Sequence, residues 1–154
     1  MRGSALDYGR ELQERVEASG MSHRVVLPGI VNDNERQWLY QHCEAFVFPS
    51  LAEGFGLPAI EAMSLGKPTF SLRRPACEIG GDVACYWDDF RPAAMADVYR
   101  NGLQQMLKTD YAERARARAA LFTWEQTAAS YLRVYQEVTG SSVASSRSHR
   151  ARVA

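Results

Sequence analysis

The chain has 154 residues, of which 46% are hydrophobic and 23% charged. That suffices for one domain with a real core, since a chain of this size buries about 70% of its unfolded surface, and it excludes a second full domain or a wholly disordered chain. The 18 Lys and Arg cancel the 18 Asp and Glu, but Arg147, Arg150 and Arg152 lie in a C-terminal stretch without acids, so the body is slightly acidic and unsuited to general nucleic-acid binding.

No apolar run reaches the roughly 20 residues of a membrane span, and the N-terminus lacks the apolar core of a secretory signal, so a cytoplasmic location is expected. Cys43, Cys77 and Cys85 are an odd number at spacings that match no disulfide framework or zinc pattern, and they read as reduced core thiols. His23, His42 and His149 do not stand at ligand spacing, so no metal site is expected.

In chain order, Leu6 to Ser19 carries Leu6, Leu12 and Val16 among charges and meets Gly20, which predicts an amphipathic helix with a glycine C-cap. Val25, Val26 and Leu27, stopped by Pro28-Gly29, predict a buried strand. Asn32 with Glu35 three residues later is a capping-box signal for a helix of about ten residues from Asp33. The apolar run from Ala45 to Phe48 predicts a strand covered on both faces. A helix then runs from Pro58 to about Leu65 with Gly66 as its C-cap, followed by strands over Pro68 to Leu72 and Ala84 to Trp87. After Pro92 two helices follow, the second from Asp110, and Thr123 with Gln126 opens a last helix that ends before Gly140. The tail from Ser141, rich in Ser and Arg, has no periodicity and reads as disordered.

Short strands alternating with long helices imply crossover connections, hence an α/β fold with a parallel sheet and helices on both faces. In such sheets ligands bind beyond the carboxyl ends of the strands. The loop after Phe48 holds Glu53, Gly54, Phe55, Gly56 and Leu57, and it enters a helix that carries Glu61. Glycines beside a helix N-terminus let a phosphate approach backbone N–H groups, and carboxylates accept hydrogen bonds from hydroxyl pairs. The pattern suits a diphosphate flanked by polyols, as in a nucleotide-sugar. It equally allows a tight turn, a solvated Glu53, and a Glu61 near the end of the helix's first turn that merely complements the dipole.

A longer stretch discriminates. PSLAEGFGLPAIEAMSLGKP, residues 49–68, resembles the retaining nucleotide-sugar glycosyltransferases of the two-domain GT-B fold, with two glutamates separated by seven residues and EGFGLP and EAM-xx-G-x-P in register. The likeness extends to HRVVLPGIV at 23–31, ACEIGGDVACYWDD at 76–89, which looks like a glutamate-glycine loop and strand, and FTWEQTAASYLRVY at 122–135. The resemblance implies that Glu53 contacts donor-sugar hydroxyls as the catalytic-site carboxylate. It implies that Gly54, Phe55, Gly56 and Leu57 present N–H groups to sugar and diphosphate, that Glu61 binds the ribose, and that Ile30 and Val31 line the base. Fixed N–H dipoles meet the charge that develops on the leaving group, so neither a metal nor another cofactor is implied.

The resemblance also implies a departure. An initial strand–helix–strand unit with an Arg and a Lys that clamp the diphosphate is expected to be missing, with Gly3-Ser4 as the end of its second strand. Residues 1–139 then read as a Rossmann-like, partial C-terminal donor domain for hexosyl transfer, and 140–154 as a tail. The acceptor site, and any peripheral membrane contact, would belong to a missing N-terminal domain or a complementing polypeptide, without which the chain is expected to be inactive. Arg73 and Arg74 lie in the loop after the third strand at its ligand-facing end, where they could partly substitute for that clamp but read more readily as solvated; Trp38, Trp87 and Trp124 read as core or seam aromatics. The competing expectations are a non-catalytic nucleotide-sugar-binding module, an inactive fragment of a split gene, or an interaction domain that pairs through an exposed strand edge.

Overall fold

The computed structural model describes residues 5–140, so the expected strand end at Gly3-Ser4 and the tail beyond Gly140 lie outside the described residues. Two compact units divide at His42 and Cys43.

In the first unit, α1 (Ala5–Ala18) carries the exposed pairs Glu11–Arg15 and Gln13–Glu17 at 2.6 and 2.8 Å. It ends on Gly20 at φ 69, where the Met21 amide reaches back to the Val16 carbonyl at 3.1 Å in a Schellman closure. Helix α2 (Asp33–His42) opens with the expected capping box, the Glu35 amide donating to Asn32 Oδ1 at 3.0 Å and the Asn32 amide to Glu35 Oε2 at 2.8 Å. Between them the strand expected at Val25 to Leu27 is absent: these residues are irregular and exposed. A strand exists only through a paired neighbour, and none of the described strands pairs with this segment.

The second unit is a parallel sheet with helices around it. Its order is β1 (Phe46–Phe48), β2 (Thr69–Leu72), β3 (Cys85–Trp87), with Phe48 opposite Ser71 and Leu72 opposite Trp87. Helices α3 (Leu57–Ser64), α4 (Arg73–Gly80) and α5 (Pro92–Met106) follow β1, β2 and β3 in turn, and α6 (Tyr111–Ala119) and α7 (Trp124–Thr139) complete the unit.

Central β2 is buried, and its Phe70 turns to α5, 4.9 Å from the Tyr99 ring. There Gly102 permits contact: a Cβ on it would stand 2.6 Å from Cys85 Sγ and 2.9 Å from Phe70. Phe70, Met63, Trp87, Met106, Tyr111 and Ala115 form the centre of the core. Gly66, at φ 72, closes α3 with its amide on the Met63 carbonyl at 2.8 Å, and its missing Cβ lets Ala112 and Arg116 of α6 lie against the turn.

Two expectations need correction. Strand β1 is not covered on both faces, because α5 lies over β2 and β3 and leaves Val47, at the sheet edge, 46% exposed beside a groove of about 390 Å³. The expected loop from Arg73 is α4, which continues directly from β2; its carbonyls at Glu78 and Ile79 are met by the Arg118 guanidinium. Of the three tryptophans only Trp87 is core, at 2% exposure, whereas Trp38 and Trp124 are 56% and 76% exposed. None of the three cysteines is in a disulfide, and all three are half-buried.

Candidate functional site at the carboxyl edge of the sheet

All three strands are parallel, so their carboxyl ends share one edge, and three segments emerge there: the 49–56 loop, the start of α4, and Asp88 to Arg91. The loop reaches α3 through Gly56, whose φ of 89 and ψ of 37 place it in the left-handed region that favours glycine. A Cβ there would meet Ile79 of α4 at 3.8 Å, so the turn lies against that helix. No side chain caps α3. Pro58 lacks an N–H, and the Ala59 amide returns to the Gly56 carbonyl at 3.0 Å, so the Leu57 amide is one donor the helix tip offers.

Glu53 is exposed, and its Oε1 receives the Ser50 hydroxyl at 2.6 Å, a contact that holds the carboxylate at the loop. Gly54 is exposed with open space where a Cβ would stand. Phe55 turns edge-on to Phe122 at 5.8 Å, and with Gly54, Leu57, Trp124 and Tyr131 it lines an apolar cleft of about 540 Å³ between the loop and the start of α7.

Glu61 is half-buried and is the fifth residue of α3, in the second turn rather than the first, because the helix starts at Leu57. Complementation of the dipole, which fades within one turn, therefore does not account for it. Ile30 and Val31 belong to the other unit. Ile30 is fully exposed there, and Val31 lines a shallow groove of about 460 Å³ with Pro28, Trp38 and Leu39.

Among the described residues after β2 and β3, Arg73 pairs with Asp88 and Arg91 with Asp89. Arg73 Nε donates to Asp88 Oδ1 at 2.6 Å, and its guanidinium lies over the Tyr86 ring, 5.5 Å from the centroid. The Arg91 amide and Nε each donate to Asp89 at 2.8 Å and hold its carboxyl below the usual carboxylate range. The Arg73–Asp88–Tyr86 group joins residues from two elements, and sequence reasoning missed it as a unit. Its signal was the position of Arg73 directly after a strand at the ligand-facing edge.

An α/β unit with a parallel sheet and a glycine turn into a helix without a side-chain cap places this loop at the edge where ligands bind in such folds. The chain belongs to the family described as Glycosyl transferases group 1, which it matches over residues 3–105. It is 35% identical over 122 residues to the Serotype-specific mannosyltransferase WbdA of Escherichia coli, across 73% of this chain and 14% of that protein. It is 31% identical over 144 residues to the D-inositol 3-phosphate glycosyltransferase of Corynebacterium urealyticum, across 88% of this chain and 33% of that one. A solved sucrose-phosphate synthase from Thermosynechococcus elongatus, a GT-B glycosyltransferase, superposes with a TM-score of 0.64 at 25% identity, over 86% of this chain and 35% of that one. The chain thus spans about a third or less of the length of these relatives. No helix among the described residues is long and apolar enough to cross a membrane.

Proposed function

We propose that this chain is a donor-binding domain that holds a nucleoside-diphosphate sugar for retaining transfer of a hexosyl group. The observation that carries the reading is the glycine turn at Gly56, which delivers an exposed, acid-bearing loop to an uncapped helix tip at the carboxyl edge of a parallel sheet. In this reading the Leu57 amide and the positive end of α3 face the diphosphate, and charge that develops on the leaving group meets dipoles already oriented toward it. Glu53 accepts from sugar hydroxyls with its Ser50 contact as the brace, and Glu61, in the second turn, accepts from the ribose. Charge neutralisation falls to amides and basic side chains rather than to a metal or another cofactor. Acceptor binding is assigned to another segment or polypeptide. The reading places the reaction in the cytoplasm.

Calorimetry with UDP-, GDP- and ADP-sugars tests it. One donor class is expected to bind, and binding is expected to vanish in Glu61→Ala while Glu137→Ala, an exposed change on α7, leaves it intact. Absence of binding to every nucleotide tried would overturn the reading in favour of an inactive fragment.

A further inference from the structure

The loop and helix tip described above carry two carboxylates, Glu53 and Glu61, yet the ligand proposed for them is itself anionic. Amide dipoles alone offset that repulsion poorly, so a cation is needed at the same edge. Arg91 is exposed and engaged with Asp89 through both its amide and its Nε. Arg73 is differently arranged. It follows β2 directly, two positions beyond Ser71, the register partner of Phe48, after which the Glu53 loop begins. Its α4 also lies against the Gly56 turn through Ile79.

Three contacts set its guanidinium. Nε is bound by Asp88 at 2.6 Å, the plane rests over Tyr86, and the Tyr86 hydroxyl is itself fixed by donating to the Gly81 carbonyl at 3.0 Å. Among the described residues, no further contact engages Nη1 and Nη2, and the side chain is 55% exposed. An arginine held by one edge with its paired terminal nitrogens outward is preorganised for two parallel hydrogen bonds to phosphate oxygens. An ordinary surface ion pair has no such aromatic seat.

We infer that Arg73, positioned by Asp88 and Tyr86, is the cation that contacts the diphosphate of the donor. This rests on the donor-binding reading and adds to it a residue particular to this chain. Asp88 is a positioning residue: it acts through Arg73 and touches no ligand.

The test is calorimetry of the full chain with a nucleoside diphosphate, the matching monophosphate, and pyrophosphate alone. Arg73→Gln is expected to weaken the diphosphate about tenfold or more, the scale of a charge-assisted hydrogen bond, and the monophosphate by less than about threefold. Arg73→Lys keeps the charge without the fork and is expected to fall between. Asp88→Asn leaves Arg73 in place but unanchored and is expected to shrink the preference for diphosphate over monophosphate with no change in melting temperature. Weaker binding of pyrophosphate in Arg73→Gln supports the contact as one to phosphate itself. Equal losses for diphosphate and monophosphate would overturn the inference in favour of a structural role. Unchanged diphosphate affinity in a variant that melts like the wild type would overturn it while leaving the donor reading standing. Failure of the wild-type chain to bind any diphosphate would overturn both.

Discussion

At its first residue strand β2 is tied into the protein through its amide and its hydroxyl, the latter donating to the Lys67 carbonyl at 2.9 Å. The Thr69 amide donates to the Tyr111 hydroxyl at 3.0 Å, that hydroxyl donates to the Lys67 carbonyl at 3.1 Å, and Lys67 Nζ reaches the Cys43 carbonyl at 3.1 Å. At its last residue the same strand runs into α4 with no capping side chain, among charged groups that face solvent. The two ends belong to one four-residue strand and differ in kind. One spends its polar groups on other parts of the chain; the other keeps amides, carboxylates and a guanidinium facing outward. A parallel sheet encourages this division, because all the strand-to-helix turns that present free amides fall at one edge. Stability is therefore concentrated at the amino end and ligand chemistry at the carboxyl end.

The largest effect expected from breaking this division is at the junction between the two ends. Phe70→Ala, in a side chain with no solvent exposure, is expected to cost about 3–5 kcal/mol in urea unfolding. A loss under about 1 kcal/mol would mean that β2 is not the centre of the core. Next, Tyr111→Phe removes the hydroxyl that joins Thr69 to Lys67 and leaves the buried Thr69 amide unpaired, while the Lys67 carbonyl keeps the Thr69 hydroxyl, at about 1–3 kcal/mol by the same measurement.

Gly56→Ala puts a Cβ on a left-handed residue, so about 1–2 kcal/mol is expected, together with loss of nucleotide-sugar binding as the loop re-aims. Retained binding would show that the turn does not shape the site.

A smaller effect separates the ends by pH. Burial first, then the Cys77 thiolate, pushes the Tyr86 hydroxyl up to about 12, against the pull of Arg118 and Arg73. The folded state thus favours the protonated phenol. Its contribution to stability is complete below the ordinary value of 10.0 and is lost as pH rises toward about 12. Wild-type unfolding curves across that range are expected to fall more steeply than those of Tyr86→Phe, and parallel curves would refute the shift. Smallest of all, Glu53→Gln, an exposed change, is expected to alter stability by less than about 0.5 kcal/mol while it weakens donor binding. A large stability loss would make Glu53 a structural residue.

Much of the fold was legible because its signals are local. The pairings of Asn32 with Glu35 and of Thr123 with Gln126 are formed as expected, the latter with the Gln126 amide on Thr123 Oγ1 at 3.1 Å. Gly66 closes α3 as its position after Leu65 suggested. Helix α4 was illegible for the opposite reason: Leu72 at its N-cap is no capping residue, and the helix follows the strand without a turn signal. At the site, the loop residues and Glu61 could be chosen from spacing, but the turn that Glu61 occupies depended on a one-residue difference in the start of α3.

What the sequence by itself determined is the set of elements whose hydrogen bonds close within four or five residues: the capped helices, the glycine terminations, and the acid-glycine loop that leads into α3. Only tertiary structure decided which of three tryptophans is buried, that Val25 to Leu27 forms no strand, and that Arg73 meets Asp88 fifteen residues away. Burial and strand pairing are relations between distant segments. A residue's own chemistry supplies the capacity for them, but the partner has to be brought there by the fold.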